Sequence, residues 1–340
     1  MPKKNVVSAE LSLRPPGPTL FDAPLASVDS VDADTIAVVG MPTDWTHSSR
    51  IGAREGPAAL RQASTELVRD VFSAPGETVI DATDRSRWRR GDRTNIVDCG
   101  DAPIDAASVE RTTQSIAAMT EAIRAQGAIP LALGGDHYNS YPACLGYARG
   151  LAKRHPERRF GYIQIDGHLD FADRLGAWGT HNHATNGRRN SELPNIERAN
   201  MVWIGITGWV DGDELALIEK MGGKIFSSAD VHELGAKEVA RRAVEHATRG
   251  CESLYLSIDI DAMDAGFLPG TGSIVPSGIT PRQYCELLDV IAQQDIDGID
   301  IAEVAPSLDP SGRTERISAH LLFRVLRKRL LNHVAAKKIP

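Results

Sequence analysis

Cysteine is scarce in this chain, four among 340 residues, and Cys99, Cys144, Cys251 and Cys285 form no C-x-x-C pair. That spacing excludes a zinc finger, a dithiol redox motif and a disulfide framework, and it reads as reduced thiols in a cytoplasmic protein. No apolar run approaches the roughly 18 residues of a membrane span. The start of the chain places Lys3, Lys4, Pro15, Pro16 and Pro18 among polar residues, without the apolar core of a signal peptide, so the expected location is the cytoplasm. Positive charge is not in surplus, since Lys and Arg number 38 against 45 Asp and Glu, a formal net charge of −7. An acidic chain offers no general attraction for nucleic acid or an anionic membrane, and a small cationic substrate suits it better. With 42% hydrophobic and 24% charged residues the composition is globular, which excludes wholesale disorder, collagen-like and coiled-coil classes.

What the sequence does have is alternation. Short apolar runs rich in branched residues occur at Thr35–Val39, Asn95–Val97, Ile129–Leu133, Phe160–Ile165, Met201–Ile206, Lys224–Phe226, Leu254–Ile258 and Gly298–Ala302, each bounded by Gly, Pro or Asp. Their length and composition predict buried parallel strands. Amphipathic stretches lie between them, as at Ser108–Gln126, Ala236–Thr248 and Pro281–Gln293, the last introduced by Thr280 as N-cap and a first-turn proline. Strands alternating with helices imply βαβ units and one α/β domain, expected over residues 34–330. Residues 1–33, dominated by Pro, Ser and Asp, are expected to be an N-terminal arm or an oligomer contact, and residues 331–340 a C-terminal tail. The basic run from Arg324 through Arg329 to Lys338 is expected to be a solvated helix face and a frayed end.

In open α/β sheets ligands bind beyond the carboxyl ends of the strands. Three of those ends are acidic here: Gly134-Gly135-Asp136-His137, Asp166-Gly167-His168-Leu169-Asp170 and Asp259-Ile260-Asp261. If the backbone stays extended, alternation puts Asp166, His168 and Asp170 on one side, and Asp259 and Asp261 likewise. Any one of these triplets alone reads as a solvated turn or a capped helix start. All three at the ends of β-like runs would repel and desolvate one another unless positive charge sits among them. Six ligands exceed the needs of one four-coordinate zinc and suit two divalent ions that share carboxylates. The oxygen-rich donor set, with one imidazole per ion, points to Mn²⁺, with Ni²⁺, Co²⁺ or Fe²⁺ as alternatives.

These residues resemble the ureohydrolases: arginase, agmatinase, guanidinobutyrase and relatives. The resemblance covers most of residues 35–330. It rests on the three strand-end motifs, on Ser257-x-Asp259-x-Asp261-x-x-Asp264, on Pro269-Gly270-Thr271-Gly272, on Asp300-Ile301-Ala302-Glu303-Val304 and on the early loop Gly52-Ala53-Arg54-Glu55-Gly56-Pro57. It implies a three-layer α/β/α sandwich with a central, mainly parallel sheet of about eight strands. It also implies assembly as a homo-oligomer, trimer or hexamer, and metal-dependent hydrolysis of a carbon–nitrogen bond in a linear amidine. By motif position, His137, Asp166, Asp170 and Asp259 hold one ion and His168, Asp166, Asp259 and Asp261 the other, with Asp166 and Asp259 bridging. The metal is Mn²⁺ by family, or Ni²⁺. Glu303 matches the glutamate that pairs with the guanidinium. Aligning Arg188-Arg189 with the family's arginine pair puts His183 at the proton-shuttle position, with His181 as the rival.

Several departures mark a divergent branch, among them Gly167 for the usual alanine, Ala265 for a proline and Thr207 for an arginine. Where arginase has an asparagine for the amino-acid end of arginine, this chain has Ala172, flanked by Phe171. The missing donor disfavours arginine by about 1–3 kcal/mol. Trp178 is a candidate to stack on a guanidinium or alkylated cation, with core packing as the other reading. The expected activity is hydrolysis of a small guanidino compound other than arginine to urea and an amine, with agmatine, 4-guanidinobutyrate, guanidine and a substituted guanidine or biguanide as candidates. Two alternatives stand beside it: a subunit of a hetero-oligomeric ureohydrolase that needs a second chain, and a deacetylase-like amidohydrolase with one zinc.

Overall fold

The computed structural model describes residues 17–69, 78–83, 85–89 and 95–333. Eight strands form the central sheet: β1 (Ile36–Gly40), β2 (Ile96–Asp101), β3 (Ile129–Leu133), β4 (Phe160–Ile165), β5 (Ile196–Ile206), β6 (Lys224–Ser227), β7 (Ser253–Asp259) and β8 (Gly298–Ala302). Their spatial order is β2-β1-β3-β8-β7-β4-β5-β6, and every neighbouring pair is parallel. All eight predicted runs are strands of this sheet, most of them buried along their whole length, as expected for strands covered on both faces.

The helices are α1 (Gly56–Leu67), α2 (Val109–Ala125), α3 (Ser140–Arg154), α4 (Asn186–Ser191), α5 (Gly212–Lys220), α6 (Ser228–Leu234), α7 (Ala236–Ala247), α8 (Pro281–Ile291) and α9 (Arg313–Leu330). Alternate strand residues face opposite layers. Ile163, Ile165, Leu256, Ile258 and Ile301 pack with Leu60 of α1, Val239 and Ala243 of α7, Leu287 and Leu288 of α8, and Leu322 of α9. On the other face Ala37, Val39 and Ala132 meet Ile116 and Ile123 of α2, while Tyr162, Trp203 and Tyr255 meet Tyr147 and Leu151 of α3. The result is the three-layer α/β/α sandwich. Local signals set the ends: Ser108 Oγ accepts from Arg111 N, and Thr280 forms a capping box with Gln283 ahead of Pro281.

Two peripheral expectations change. The described part of the arm lies on the domain, with Leu20 and Phe21 fully buried in the core. The basic helix face is not solvated where α9 begins it. Arg324 is buried and pairs with Asp289 and Asp81, and Arg327 pairs with Asp81 and lies 5.3 Å over the Trp88 ring. Trp88 belongs to a small antiparallel sheet built from Thr78–Ile80, Arg87–Arg89 and Asn332–His333, Asp81 follows its first strand, and these two together with Asp289 of α8 are the partners that draw the cations inward. Residues 1–16 and 334–340 lie outside the described residues.

The register of the four central strands decides where the chemistry sits. Ile301 pairs with Leu133, Ala302 with Asp259, and Ile165 with Ile258, so β3, β8, β7 and β4 end nearly level. The residues that follow them emerge side by side.

At the β1–β2 side the fold depends on one buried cation. Arg61 of α1 is 1% exposed and forks onto Asp98, with Nε 2.9 Å and Nη2 3.0 Å from its two oxygens, while Nη1 reaches Asp101 at 2.6 Å. Asp98 is fully buried and also accepts from Leu20 N. Removing the guanidinium leaves that carboxylate uncompensated. Arg61→Ala is therefore expected to lower stability by about 3–5 kcal/mol in a denaturant titration, with Arg61→Lys recovering little because an ammonium cannot reproduce the fork.

Candidate active site

The strand-end residues converge, but not by the extended backbone the sequence suggested. β4 stops at Ile165, and the chain then turns, with His168 N bonded to Asp166 Oδ1 at 2.6 Å and Asp170 in the left-handed region at φ 47°. β7 runs to Asp259, and Asp261 sits in a 3₁₀ turn whose own N–H bonds Asp259 Oδ1 at 2.8 Å. Short polar turns bring the six side chains together where simple alternation would not.

Two donor groups result: His137, Asp166, Asp170 and Asp259, all buried, and beside them Asp166, His168 and Asp261. Asp166 is common to both; the second bridging carboxylate that the motifs implied, Asp259, falls in the first group alone. His137 Nδ1 faces three carboxylate oxygens, Asp166 Oδ2 at 3.0 Å, Asp170 Oδ2 at 2.9 Å and Asp259 Oδ2 at 3.0 Å, and makes no directed hydrogen bond to any of them. Donors each about 2.1 Å from one octahedral ion stand about 3.0 Å apart, so this spacing is that of a coordination shell. His168 Nδ1 lies 3.1 Å from Asp261 Oδ2 and 3.6 Å from Asp166 Oδ1. The electrostatics agree. Burial and then Asp166 push the Asp170 carboxyl up to about 7, and burial and then Asp261 hold Asp259 well above the carboxylate range. Such shifts mark acids short of positive charge, and divalent ions held in the two groups would supply it.

The surrounding residues hold the donors in place. Ser257 Oγ donates to Asp300 Oδ1 at 2.9 Å and so accepts from His137 Nε2 at 3.1 Å, which leaves the Nδ1 lone pair for the cluster. Gln164 Nε2 donates to Asp166 Oδ2 at 2.6 Å, is itself held by the Tyr162 hydroxyl, and that hydroxyl accepts from Asn190. Asn186, its amide oriented by its partners, donates to Asp170 Oδ2 and to the His183 carbonyl, both at 2.9 Å. The paired glycines of the first motif are a packing demand: a Cβ on Gly135 would lie 1.7 Å from Thr43 O, and one on Gly134 2.7 Å from Ile301 O. Asp136 of that motif is no member of either donor group. It accepts from Thr46 N and Oγ1 and thereby ties the loop after β1 to the site.

That loop brings in a residue the sequence reading did not single out. His47 stacks on His183, ring centroids 4.3 Å apart at 18°, and its Nε2 faces Glu303 Oε2 at 3.4 Å. His47 Nδ1 accepts from Ser49 N, so the proton sits on Nε2, and burial with His183 nearby lowers its pKa to about 4, keeping the ring neutral. Only the arrival of His183, far along the chain, gives His47 a role. The sole local signal is its place in the loop after a strand end.

Glu303 follows β8 at φ 66°, is 2% exposed and accepts from His137 N at 2.8 Å through Oε1. Its Oε2 is buried with no hydrogen-bond partner. His183 Nδ1 lies 3.0 Å from Thr46 O and donates to it, which leaves Nε2 with its lone pair 3.2 Å from Ser48 Oγ.

These groups line one cavity of about 240 Å³, below the roughly 300–1,000 Å³ of drug-sized pockets and suited to a small molecule. His137, His168, Asp170, His183, Asp259, Asp261 and Glu303 open onto it, as do Ala172, Trp209 and Glu214. Trp178 and His181 do not. Trp178 is half-exposed in a tight turn between Gly176 and Gly179, both at positive φ, which sends Leu175 toward the cavity and the indole outward. His181 is turned onto Tyr138 and Tyr141, with centroids 6.0 and 5.9 Å away. The aromatic ring at the mouth is Trp209.

Residues 34–327 match the family model described as the arginase family. The guanidinopropionase of Pseudomonas aeruginosa is 30% identical over 295 residues, 86% of this chain and 85% of that protein. The agmatinase of Serratia proteamaculans is 29% identical over 87% of both chains. In structure, the proclavaminate amidino hydrolase from Streptomyces clavuligerus superposes with a TM-score of 0.75 at 26% identity, covering 92% of this chain and 97% of that one. Fold, strand-end donors and sequence thus converge on one conclusion: the chain belongs to the arginase family and is a hydrolase of carbon–nitrogen bonds.

Proposed function

We propose that this enzyme hydrolyses a small guanidino compound other than arginine to urea and an amine. The observation that carries the reading is that Glu303, whose buried Oε2 makes no hydrogen bond, lines the same cavity as residues of the two donor groups. Burial and then Asp259 hold the Glu303 carboxyl well above its usual range, and a bound guanidinium is the opposite charge that restores it. The relatives named for guanidinopropionate and agmatine support the same substrate class. Ala172 at the cavity wall offers no donor to the amino-acid end of arginine.

His137, Asp166, Asp170 and Asp259 would hold one divalent ion, Mn²⁺ or alternatively Ni²⁺, and Asp166, His168 and Asp261 a second, and such a pair would supply a water activated as nucleophile at neutral pH. Glu303 holds the planar guanidinium against the cavity floor, and His47 keeps its Nε2–H beside the Glu303 oxygen. Water oxygen bonds to the guanidinium carbon, and the tetrahedral carbon collapses with its C–N bond broken once the departing nitrogen takes a proton. His183 carries that proton: Thr46 O fixes the ring through Nδ1, the free Nε2 lone pair takes a proton from the attacking water, and the charged ring, made a better acid by burial, passes it to the departing nitrogen. His181, packed on two tyrosines, is left out of the transfer. The reading includes residues 34–330 as the ureohydrolase domain, residues 1–33 as an N-terminal arm and 331–340 as a C-terminal tail, and a cytoplasmic homo-oligomer, trimer or hexamer. The free thiols of Cys99, Cys144, Cys251 and Cys285 support that compartment.

Metal content gives the first test. Purified protein loaded with Mn²⁺ or Ni²⁺ is expected to hold two ions per chain, and chelation is expected to abolish urea release and lower the melting temperature, both recovered on reloading. A single zinc per chain favours the deacetylase-like alternative, and activity gained only with a second polypeptide favours the hetero-oligomer.

Substitutions separate the side-chain roles. Asp259→Asn is expected to lower kcat by about a thousandfold or more, since it removes a charged donor from the cluster. His183→Ala is expected to lower kcat about 10²–10⁴-fold, the usual contribution of a positioned acid. His181→Ala should stay within a few-fold of the parent. Equal losses in the two histidine variants would remove His183 from the assigned role.

A further inference from the structure

The cavity has a second, outer chemistry that the reaction itself does not use. Among its described lining residues there is no lysine and no arginine, while Asp211 and Glu214 stand at its outer edge beside Trp209. Of the guanidinium groups on flanking segments, Arg50 donates to the carbonyls of Thr271 and Gly272, and Arg189 pairs with Asp173. Arg188 lies over the Phe171 ring, pairs with Glu192 and offsets part of the charge repulsion on Glu214, while Arg174 is exposed and does not itself line the cavity. Resting on the guanidino-hydrolase reading, we infer that the cavity accepts guanidino compounds whose far end is cationic or uncharged and rejects those that end in a carboxylate.

Each outer residue acts in the same direction. Asp211 is the N-cap of α5, its Oδ1 accepting from Asp213 N and Glu214 N, so it is fixed in place and its negative charge is held at the mouth. Glu214, one turn into α5, is half-buried, and burial and then Asp211 raise its carboxyl above the ordinary range. A cation arriving there relieves two acids, whereas a carboxylate becomes a third negative charge in a confined space. Trp209 is fully exposed at 103%, and Val210 beside it is 39% exposed. An indole face in that position attracts an ammonium, an amidine or an alkylated nitrogen and gives nothing to a carboxylate. Deeper in, Leu175, Ala172 and Ala184 form an apolar wall without donors for carboxylate oxygens. The chain thus differs in this expectation from its relative named for guanidinopropionate, a guanidino acid.

Three compounds of matched length test it: agmatine with an ammonium end, n-butylguanidine with an apolar end and 4-guanidinobutyrate with a carboxylate end. Metal-loaded enzyme is expected to release urea from the first two with kcat/KM at least tenfold above the third, the difference lying mainly in KM. Glu214→Lys is expected to shift the 4-guanidinobutyrate to agmatine ratio by at least tenfold toward the acid. Thermal shift with the same compounds reads binding without turnover, and agmatine and n-butylguanidine are expected to raise the melting temperature at concentrations where 4-guanidinobutyrate does not. If 4-guanidinobutyrate binds or reacts as well as agmatine, or if Glu214→Lys leaves the ratio unchanged, the inference is overturned. If no compound yields urea yet the binding order holds, the hydrolytic reading fails and the selectivity of the cavity stands.

Discussion

Four aspartates sharing a buried pocket with two imidazoles constitute the constraint on which the rest of this structure depends. Carboxylates at that density are stable only with positive charge among them, and the described residues lining the cavity provide histidine rings but no lysine or arginine. The surrounding architecture serves that concentration of charge. The four central strands end level, so the turns that follow are neighbours. Every one of the four acids is anchored, Asp166 by His168 N and Gln164, Asp259 by Asp261 N, Asp261 by Gly167 N and Asp170 by Asn186. An anchored acid has little freedom to relax away from its neighbours, and a fixed anionic cage that cannot relax is one that binds divalent ions well.

The fold was legible because its signal is local and strong. Branched apolar runs bounded by Gly, Pro or Asp yield strands wherever helices cover both faces, and all eight runs are strands. The small sheet at Thr78–Ile80 and Arg87–Arg89 gave no such signal. It is held by Arg324 and Arg327, more than two hundred residues downstream, and the same distance hides the burial of those cations in a sequence where they look like a solvated face.

At the site, residue identity was legible and geometry was not. All six donors could be named from the motifs, yet the alternation invoked to bring them together does not hold beyond Ile165, where turns and the left-handed Asp170 take over. Histidines divided by their tertiary surroundings. His183 is held against the loop after β1, His181 is turned onto tyrosines, and His47 matters because it stacks on His183. Trp178 and Trp209 differ for a comparable reason, because a turn between two glycines points one indole outward while the loop after β5 leaves the other at the mouth. Sequence carries the chemistry of a side chain, whereas loop conformation decides which cavity receives it.

The loop after β1 shows how these levels join. Thr46 donates to Asp136, a buried acid of the first motif, and accepts from His183, a residue of the outer loop. His47 adds a neutral ring between His183 and Glu303, and Gly272 leaves room for it, since a Cβ there would lie 2.5 Å from the ring nitrogen. One short segment therefore spaces Glu303 from His183, the two residues proposed to meet the guanidinium and the departing nitrogen. Because the loop is fastened to a motif aspartate outside the donor groups, that spacing is set by the same strand tips that set the metal cage. A shift of the loop would move His47 and the Thr46 carbonyl that holds His183 relative to Glu303, which His137 N keeps at the strand tips, and so Asp136, though it is no member of the cage, belongs to the same constraint.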